Sequence, residues 1–204
     1  MYDAIIVGAG PAGSSAAIHC NKLGLKTLIL EKSKFPRDKI CGDALSGKSV
    51  KFLDDLNLLE GLDNIDGAVI KRIIFGNPNH SECELHLNKS LNKKHINHGY
   101  VIPRKIFDNY LFNHASSTSD AETGFHVIDL IHEKDNVIGV KGKFNNGKEK
   151  EFFANVIIGA DGPYSIVSRK TGCYNADGKY TAVGLRCYYE NIGGLTDQIE
   201  LHYV

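Results

Sequence analysis

Three glycines, Gly8, Gly10 and Gly13, stand in the pattern glycine-x-glycine-x-x-glycine, and an acid, Glu31, closes the next apolar run. Those residue types at that spacing suit the grip of a dinucleotide. Gly8 permits a tight turn, because a residue without Cβ reaches dihedrals that others cannot. Gly10 lets the backbone come close to a pyrophosphate, and Gly13 lets a helix pack closely on a strand. Pro11 near the helix start gives up only an N–H that has no intrahelical partner. Together with Ala12 and Gly13 it opens a first turn whose free N–H groups and positive dipole end face phosphate. Glu31 can accept hydrogen bonds from the two hydroxyls of an adenosine ribose.

Positioning those residues takes a specific set of elements, and the sequence supplies them. Residues 3–7 read as a short buried strand, 14–23 carry a helical pattern, and 26–30 form a second apolar strand. Strand, glycine turn, helix, strand and acid make a complete βαβ unit. A glycine pattern without that context would be weak evidence.

The bulk properties exclude several classes of partner. Lys plus Arg equals Asp plus Glu at 24 each, so no global field selects nucleic acid or an anionic membrane. Met1 leads straight into the first strand, so no signal peptide is expected, and no apolar run approaches a membrane span. The five cysteines (Cys20, Cys41, Cys83, Cys173, Cys187) are scattered without a CxxC pair, which suits a reducing cytoplasm. Four of them read as ordinary small apolar residues. The expected localisation is cytoplasmic, with membrane association as the alternative. The oligomeric state has no signature in the sequence.

Further along, residues 32–39 form a polar loop punctuated by Pro36, and residues 47–59 carry a helical pattern with Val50, Leu53, Leu56 and Leu59 on its apolar side. Residues 69–75 and 82–87 read as a hairpin around a turn at 76–80. Residues 88–98 read as an exposed loop, with Lys89, Lys93, Lys94 and His95 as a solvated connection. A short extended stretch at 100–104 leads into a helix at 105–115, followed by a polar linker at 116–123. Strands are expected at 125–132, 137–144, 151–155, 156–162, 180–189 and 198–204, with a helical turn at 165–170. The fold class is α/β: a Rossmann-type, dinucleotide-binding layered domain with an interleaved, incomplete β-rich domain. The expected boundaries are 1–64 and 100–177 for the first domain, 65–99 and 178–204 for the second. The last run stops inside an apparent strand, so the chain is expected to be incomplete.

Three stretches carry a resemblance. Ile158-Gly-Ala-Asp-Gly-Pro-Tyr-Ser-Ile-Val-Ser-Arg169 resembles the Asp-Gly motif of the para-hydroxybenzoate hydroxylase-like flavoproteins, with Asp161 and Gly162 at its centre. Tyr100-Val-Ile-Pro-Arg104 resembles the strand-to-helix junction of the same group. Lys39-Ile-Cys-Gly-Asp-Ala-Leu-Ser46 resembles the Lys-x-Cys-Gly segment of the geranylgeranyl reductase branch, which reduces isolated double bonds in isoprenoid chains.

The resemblance implies FAD as cofactor and NAD(P)H as electron donor. It implies that Asp161 and Gly162 organise the pyrophosphate region and that Arg104 contacts the ribityl-phosphate portion, where a guanidinium fork suits phosphate oxygens. Lys39, Cys41 and Gly42 map to the flavin's neighbourhood, and Lys32 joins Glu31 in the cofactor-binding set. No residue is implied as catalytic. The substrate would be a small molecule or a lipid, reached in the lipid case by peripheral membrane access. A flavin monooxygenase or halogenase, and a catalytically incomplete FAD-binding fragment, are the competing readings. Two family features are absent: the aromatic Pro-x-x-Tyr/Gly-x-x-Trp-x-Phe-Pro element, in a chain with no Trp, and the later Gly-Asp-Ala segment.

Among the other constellations, His80, Glu82, Glu84 and His86 would share one face of a strand and could offer ligands to zinc. A solvent-facing strand with Cys83 and Leu85 buried is the better reading, and no metal is expected. No GxSxG elbow or Cys/His pair for hydrolysis occurs.

Overall fold

In the computed structural model, which describes residues 1–87, 97–175, 177–180 and 182–203, the chain divides into two compact units. Unit 1 comprises residues 1–38 and 107–183, and unit 2 comprises residues 39–106 and 184–204. Most of the loop expected at 88–98, with Lys89, Lys93, Lys94 and His95, lies outside the described residues.

Unit 1 is built on β1 (Tyr2–Val7), α1 (Pro11–Lys22) and β2 (Thr27–Glu31). The two strands run parallel, with Ala4 opposite Thr27 and Val7 opposite Leu30. Residues 4–7 and 27–31 are buried without a break, as expected for strands covered on both faces. Period-two alternation divides these side chains between two cores. Ile5, Val7, Leu28 and Leu30 join one cluster with Phe125, Val127 and Phe152. Ile6 and Ile29 join another with Ala17, Phe112 and Ala115.

Two features of the sheet depart from the sequence expectation. Residues 120–123, expected in a polar linker, form β8 (Asp120–Thr123), which pairs parallel to β2 at the sheet edge. Edge position and mixed polarity hide such a strand from periodicity. Residues 149–159 form one strand, β11 (Glu149–Gly159), rather than two. Its first half pairs antiparallel with β10 (Asn136–Phe144), and its second half pairs parallel with β1. β9 (Phe125–Glu133) completes the six-stranded order β8-β2-β1-β11-β10-β9. The helix α4 (Ile166–Lys170) follows β11.

Among the described residues, unit 2 holds two small sheets. β3 (Ala44–Leu45) and β4 (Ala68–Ile70) both pair with β7 (Gly99–Val101). This pairing groups residues 39–64 and 100–106 with unit 2, although the sequence pattern assigned them to the first domain. The run 69–75 breaks at Lys71: β5 (Arg72–Gly76) pairs with β6 (Glu82–His86) as the expected hairpin and with β12 (Gln198–His202) in parallel. Helix α2 (Gly47–Asp55) ends short of Leu59, since Asn57 takes a positive φ of 61°. Residues 182–189, expected as a strand, have no regular structure. Helix α3 (Arg104–Ser116) starts in unit 2, and its residues from Phe107 onward belong to unit 1.

Candidate functional site: a dinucleotide cradle and a buried carboxylate hub

The glycine turn is explained by its neighbours. Gly8 has φ 98°, and its N–H donates to the Leu30 carbonyl at 2.8 Å. A Cβ there would overlap the Ala160 carbonyl and lie 2.9 Å from the Asp161 Cα. The turn after β1 and the Asp-Gly segment after β11 are therefore brought together, and Ala160 N–H donates to the Val7 carbonyl at 2.8 Å. A Cβ on Gly13 would collide with the Gly8 carbonyl oxygen, so this glycine sets the closeness of α1 to the strand.

Gly10 is different. A Cβ there would meet nothing nearer than an Arg37 guanidinium nitrogen at 3.4 Å, an ordinary contact. Its backbone, at φ −69° and ψ −176°, is open to any residue. The protein's own packing does not require glycine here. Gly10 caps α1 without a side-chain hydrogen bond, Pro11 opens the helix, and no acid lies in the first turn. The N–H groups and positive end of α1 are thus left for an anion. Ala12 is exposed at this end. These features fit the pyrophosphate of a dinucleotide.

Glu31 is buried at the tip of β2. Its Oε2 accepts the Ala9 N–H at 2.9 Å, and its Oε1 accepts the Ser33 N–H at 2.9 Å. The acid thus ties the glycine turn to the loop that follows, and each oxygen retains acceptor capacity for a hydroxyl. Lys32 is exposed beside it.

Arg37 was not singled out in the sequence, yet it lies at the centre of this site. Its Nη1 donates to Asp108 Oδ2 at 2.7 Å, and its Nε lies 3.9 Å from Glu31 Oε1. Asp108, on α3, is fully buried. The guanidinium carbon lies 5.0 Å from the Phe35 ring centroid, and Phe35 stacks on Phe112 at 4.2 Å. A cation held between two carboxylates and over a ring, facing Gly10, is preorganised for phosphate oxygens. No local pattern announces it, because its main partner lies 71 residues away.

Asp161 organises its loop. Oδ1 accepts from Ser165 Oγ at 2.5 Å and Oδ2 from Ile166 N–H at 2.6 Å. Ser165 in turn caps α4 by accepting the Ser168 N–H at 3.0 Å. Gly162, at φ 82°, makes the turn between them. Arg169 stacks over Tyr174 at 4.6 Å.

The other predicted residues lie in unit 2 or at its boundary. Lys39 and Gly42 are exposed, and Cys41 is half-buried. A Cβ on Gly42 would meet nothing within 4 Å. The Arg104 N–H donates to Asp43 Oδ1 at 3.3 Å. Asp43 is a buried hub that the sequence reading passed over. Nearby, Tyr100 donates to Asp63 at 2.9 Å and meets His98 Nε2 at 3.2 Å. These three border a cavity of ≈490 Å³. Burial and the Asp63 carboxylate push the Tyr100 hydroxyl up to about 12.

The face of four potential ligands, set aside above as a zinc site, does not form. His80 sits in the turn with φ 60°, off β6, and His86 Nε2 is 3.3 Å from Glu84. Cys83 and Leu85 are exposed rather than buried. Among the described residues, no group of three or more His, Cys, Asp or Glu could hold a metal. Cys173 and Cys187 are also exposed, and all five cysteines are free. Among the described residues, no helix is long and apolar enough to cross a membrane.

A glycine turn, an uncapped helix start and an acid at the tip of the second strand define a dinucleotide-binding module. The chain belongs to the FAD binding domain family, whose model matches residues 1–186. It is 33% identical over 174 residues to digeranylgeranylglycerophospholipid reductase of Methanosarcina acetivorans, spanning 84% of this chain and 40% of the relative. It is 31% identical to 1H-pyrrole-2-carbonyl-(peptidyl-carrier protein) brominase of Pseudoalteromonas luteoviolacea, over 83% of this chain and 39% of that one. A solved geranylgeranyl bacteriochlorophyll reductase-like protein of Thermoplasma acidophilum superposes with a TM-score of 0.70 at 30% identity, covering 84% of this chain and 42% of that chain. The chain thus spans less than half the length of these relatives.

Proposed function

We propose that the protein is an FAD-dependent oxidoreductase that reduces carbon–carbon double bonds of an isoprenoid or related lipid chain, with NAD(P)H as the electron source. The observation that carries the cofactor half is the anion cradle at α1: Gly10 without an internal packing reason, an uncapped helix start and Arg37 aimed at it. The substrate half is supported by the similarity to the Methanosarcina reductase and by the Lys-x-Cys-Gly segment at residues 39–42.

In this reading the α1 N–H groups and Arg37 hold the pyrophosphate, and Glu31 orients the adenosine ribose. The Asp161–Gly162 turn shapes the wall beside them. Arg104 serves the ribityl portion, and Cys41 and Gly42 serve the ring. Bound FAD supplies the hydride chemistry, while the chain contributes binding, orientation and electrostatics.

The test is anaerobic mixing of FAD-loaded protein with NADH or NADPH and a polyprenyl lipid. The expected result is bleaching of the flavin's visible absorbance, followed by a product heavier by two hydrogens per double bond. The similarity to the brominase favours a second reading, flavin monooxygenase or halogenase chemistry. An oxygenated or brominated aromatic product, formed only with O₂, would select it. Flavin binding without reduction by either nucleotide would select a catalytically incomplete module.

A further inference from the structure

Asp43 combines two unfavourable conditions. Its φ is 59°, in the left-handed region, and it is only 5% exposed. A buried carboxylate on such a backbone persists only where its surroundings hold it. The holders come from two other segments of unit 2. Tyr188 Oη donates to Oδ2 at 2.6 Å, and Arg186 Nη1 lies 3.6 Å from Oδ1, which also accepts the Arg104 N–H. The Asp43 carbonyl accepts the Ile102 N–H at 2.9 Å.

Arg186 does more than neutralise this charge. The same Nη1 donates to the Lys39 carbonyl at 3.1 Å. It therefore bridges the two ends of residues 39–43 and brackets Cys41 and Gly42. Its guanidinium carbon stands 4.5 Å from the Tyr188 ring centroid, which restricts its swing. The bracketed residues have no helix or strand of their own, and Gly42 has open space around it. The loop's shape is thus set from outside.

We propose that Asp43, clamped by Arg186 and Tyr188, is a positioning residue that fixes the Cys41–Gly42 loop against the start of α3 and so sets the placement of Cys41 relative to Arg104. The inference rests on the FAD reading for its functional meaning, but the clamp itself is testable without flavin. Losing a charge-assisted hydrogen bond should loosen the loop.

The experiment is alkylation of the flavin-free protein with iodoacetamide, followed at Cys41 by peptide mass spectrometry, with Cys20 of unit 1 as internal reference. Arg186→Ala and Tyr188→Phe should raise the Cys41 rate roughly ten-fold, equivalent to about 1.4 kcal/mol of loop closure, and leave Cys20 unchanged. Arg186→Lys should fall between Arg186→Ala and the native protein. Asp43→Asn combined with Arg186→Ala should react no faster than the faster single variant. Native Cys41 rates in both Arg186→Ala and Tyr188→Phe, or Cys20 rising in step with Cys41, would overturn the clamp. A flavin titration of the native protein, run in parallel, tests the FAD reading separately.

Discussion

Glu31 Oε2 accepts the backbone N–H of Ala9 at 2.9 Å, so the acid that closes β2 also fixes the turn that leaves β1. Its second oxygen holds Ser33 in the same way. Glu31→Ala strands two N–H donors, one of them buried, and should destabilise the fold by about 1–3 kcal/mol. Glu31→Gln keeps one acceptor and should lose less. Urea unfolding measures both, and an unchanged midpoint for Glu31→Ala would refute the tie.

Gly10 and Gly13 should respond oppositely to alanine. Gly13→Ala drives a methyl into the Gly8 carbonyl and should lower stability by roughly 1–3 kcal/mol. Gly10→Ala meets only Arg37 at 3.4 Å, in a backbone alanine accepts. It should leave stability unchanged or raise it by about 0.4–1 kcal/mol. Its effect should appear in FAD affinity, as a loss of roughly ten-fold, about 1.4 kcal/mol. Thermal melts beside flavin titrations separate the two; a destabilised Gly10→Ala protein would mean that the packing, not the ligand, requires this glycine.

Arg37→Ala leaves the fully buried Asp108 without its closest cationic partner. The expected loss is on the order of 3 kcal/mol. Arg37→Ala/Asp108→Ala should recover part of it, because the Asp108 charge is then no longer buried without its partner. A double variant no better than the single would show that the pair is not the source of the loss.

The βαβ unit was readable because each of its parts is local: a continuous apolar run, a glycine spacing and a terminal acid. β5 and β6 were readable for the same reason, through alternation around a turn. What escaped depended on distance. Arg37 gains its meaning from Asp108, and Asp43 from Arg186 and Tyr188, and no window of sequence contains either set. β8 escaped because an edge strand need not be apolar, and the split at Lys71 escaped because both halves of that run are equally strand-like. The single length of β11 was hidden by its change of partner midway, antiparallel at Phe152 and parallel at Ala154.

Tyr2 and Tyr100 carry a pH signature. Burial, with hydrogen bonds to Asp120 and Asp63, pushes each hydroxyl up to about 12. The neutral form is favoured in the folded state. This contribution to stability is therefore fully present below the unfolded value near 10 and fades as pH rises toward 12. Ultraviolet titration at pH 11 should find at least two of the nine tyrosines un-ionised while circular dichroism stays native. Complete ionisation at that pH in folded protein would contradict the assignment.

The central claim is that residues 8–37 grip the adenosine diphosphate portion of FAD. Isothermal titration of the native protein with FAD, FMN and ADP tests it most directly. The account predicts one FAD bound per chain, displaced by ADP, with FMN at least ten-fold weaker and Gly10→Ala losing FAD and ADP affinity together. FMN binding as tightly as FAD, without competition from ADP, would contradict it.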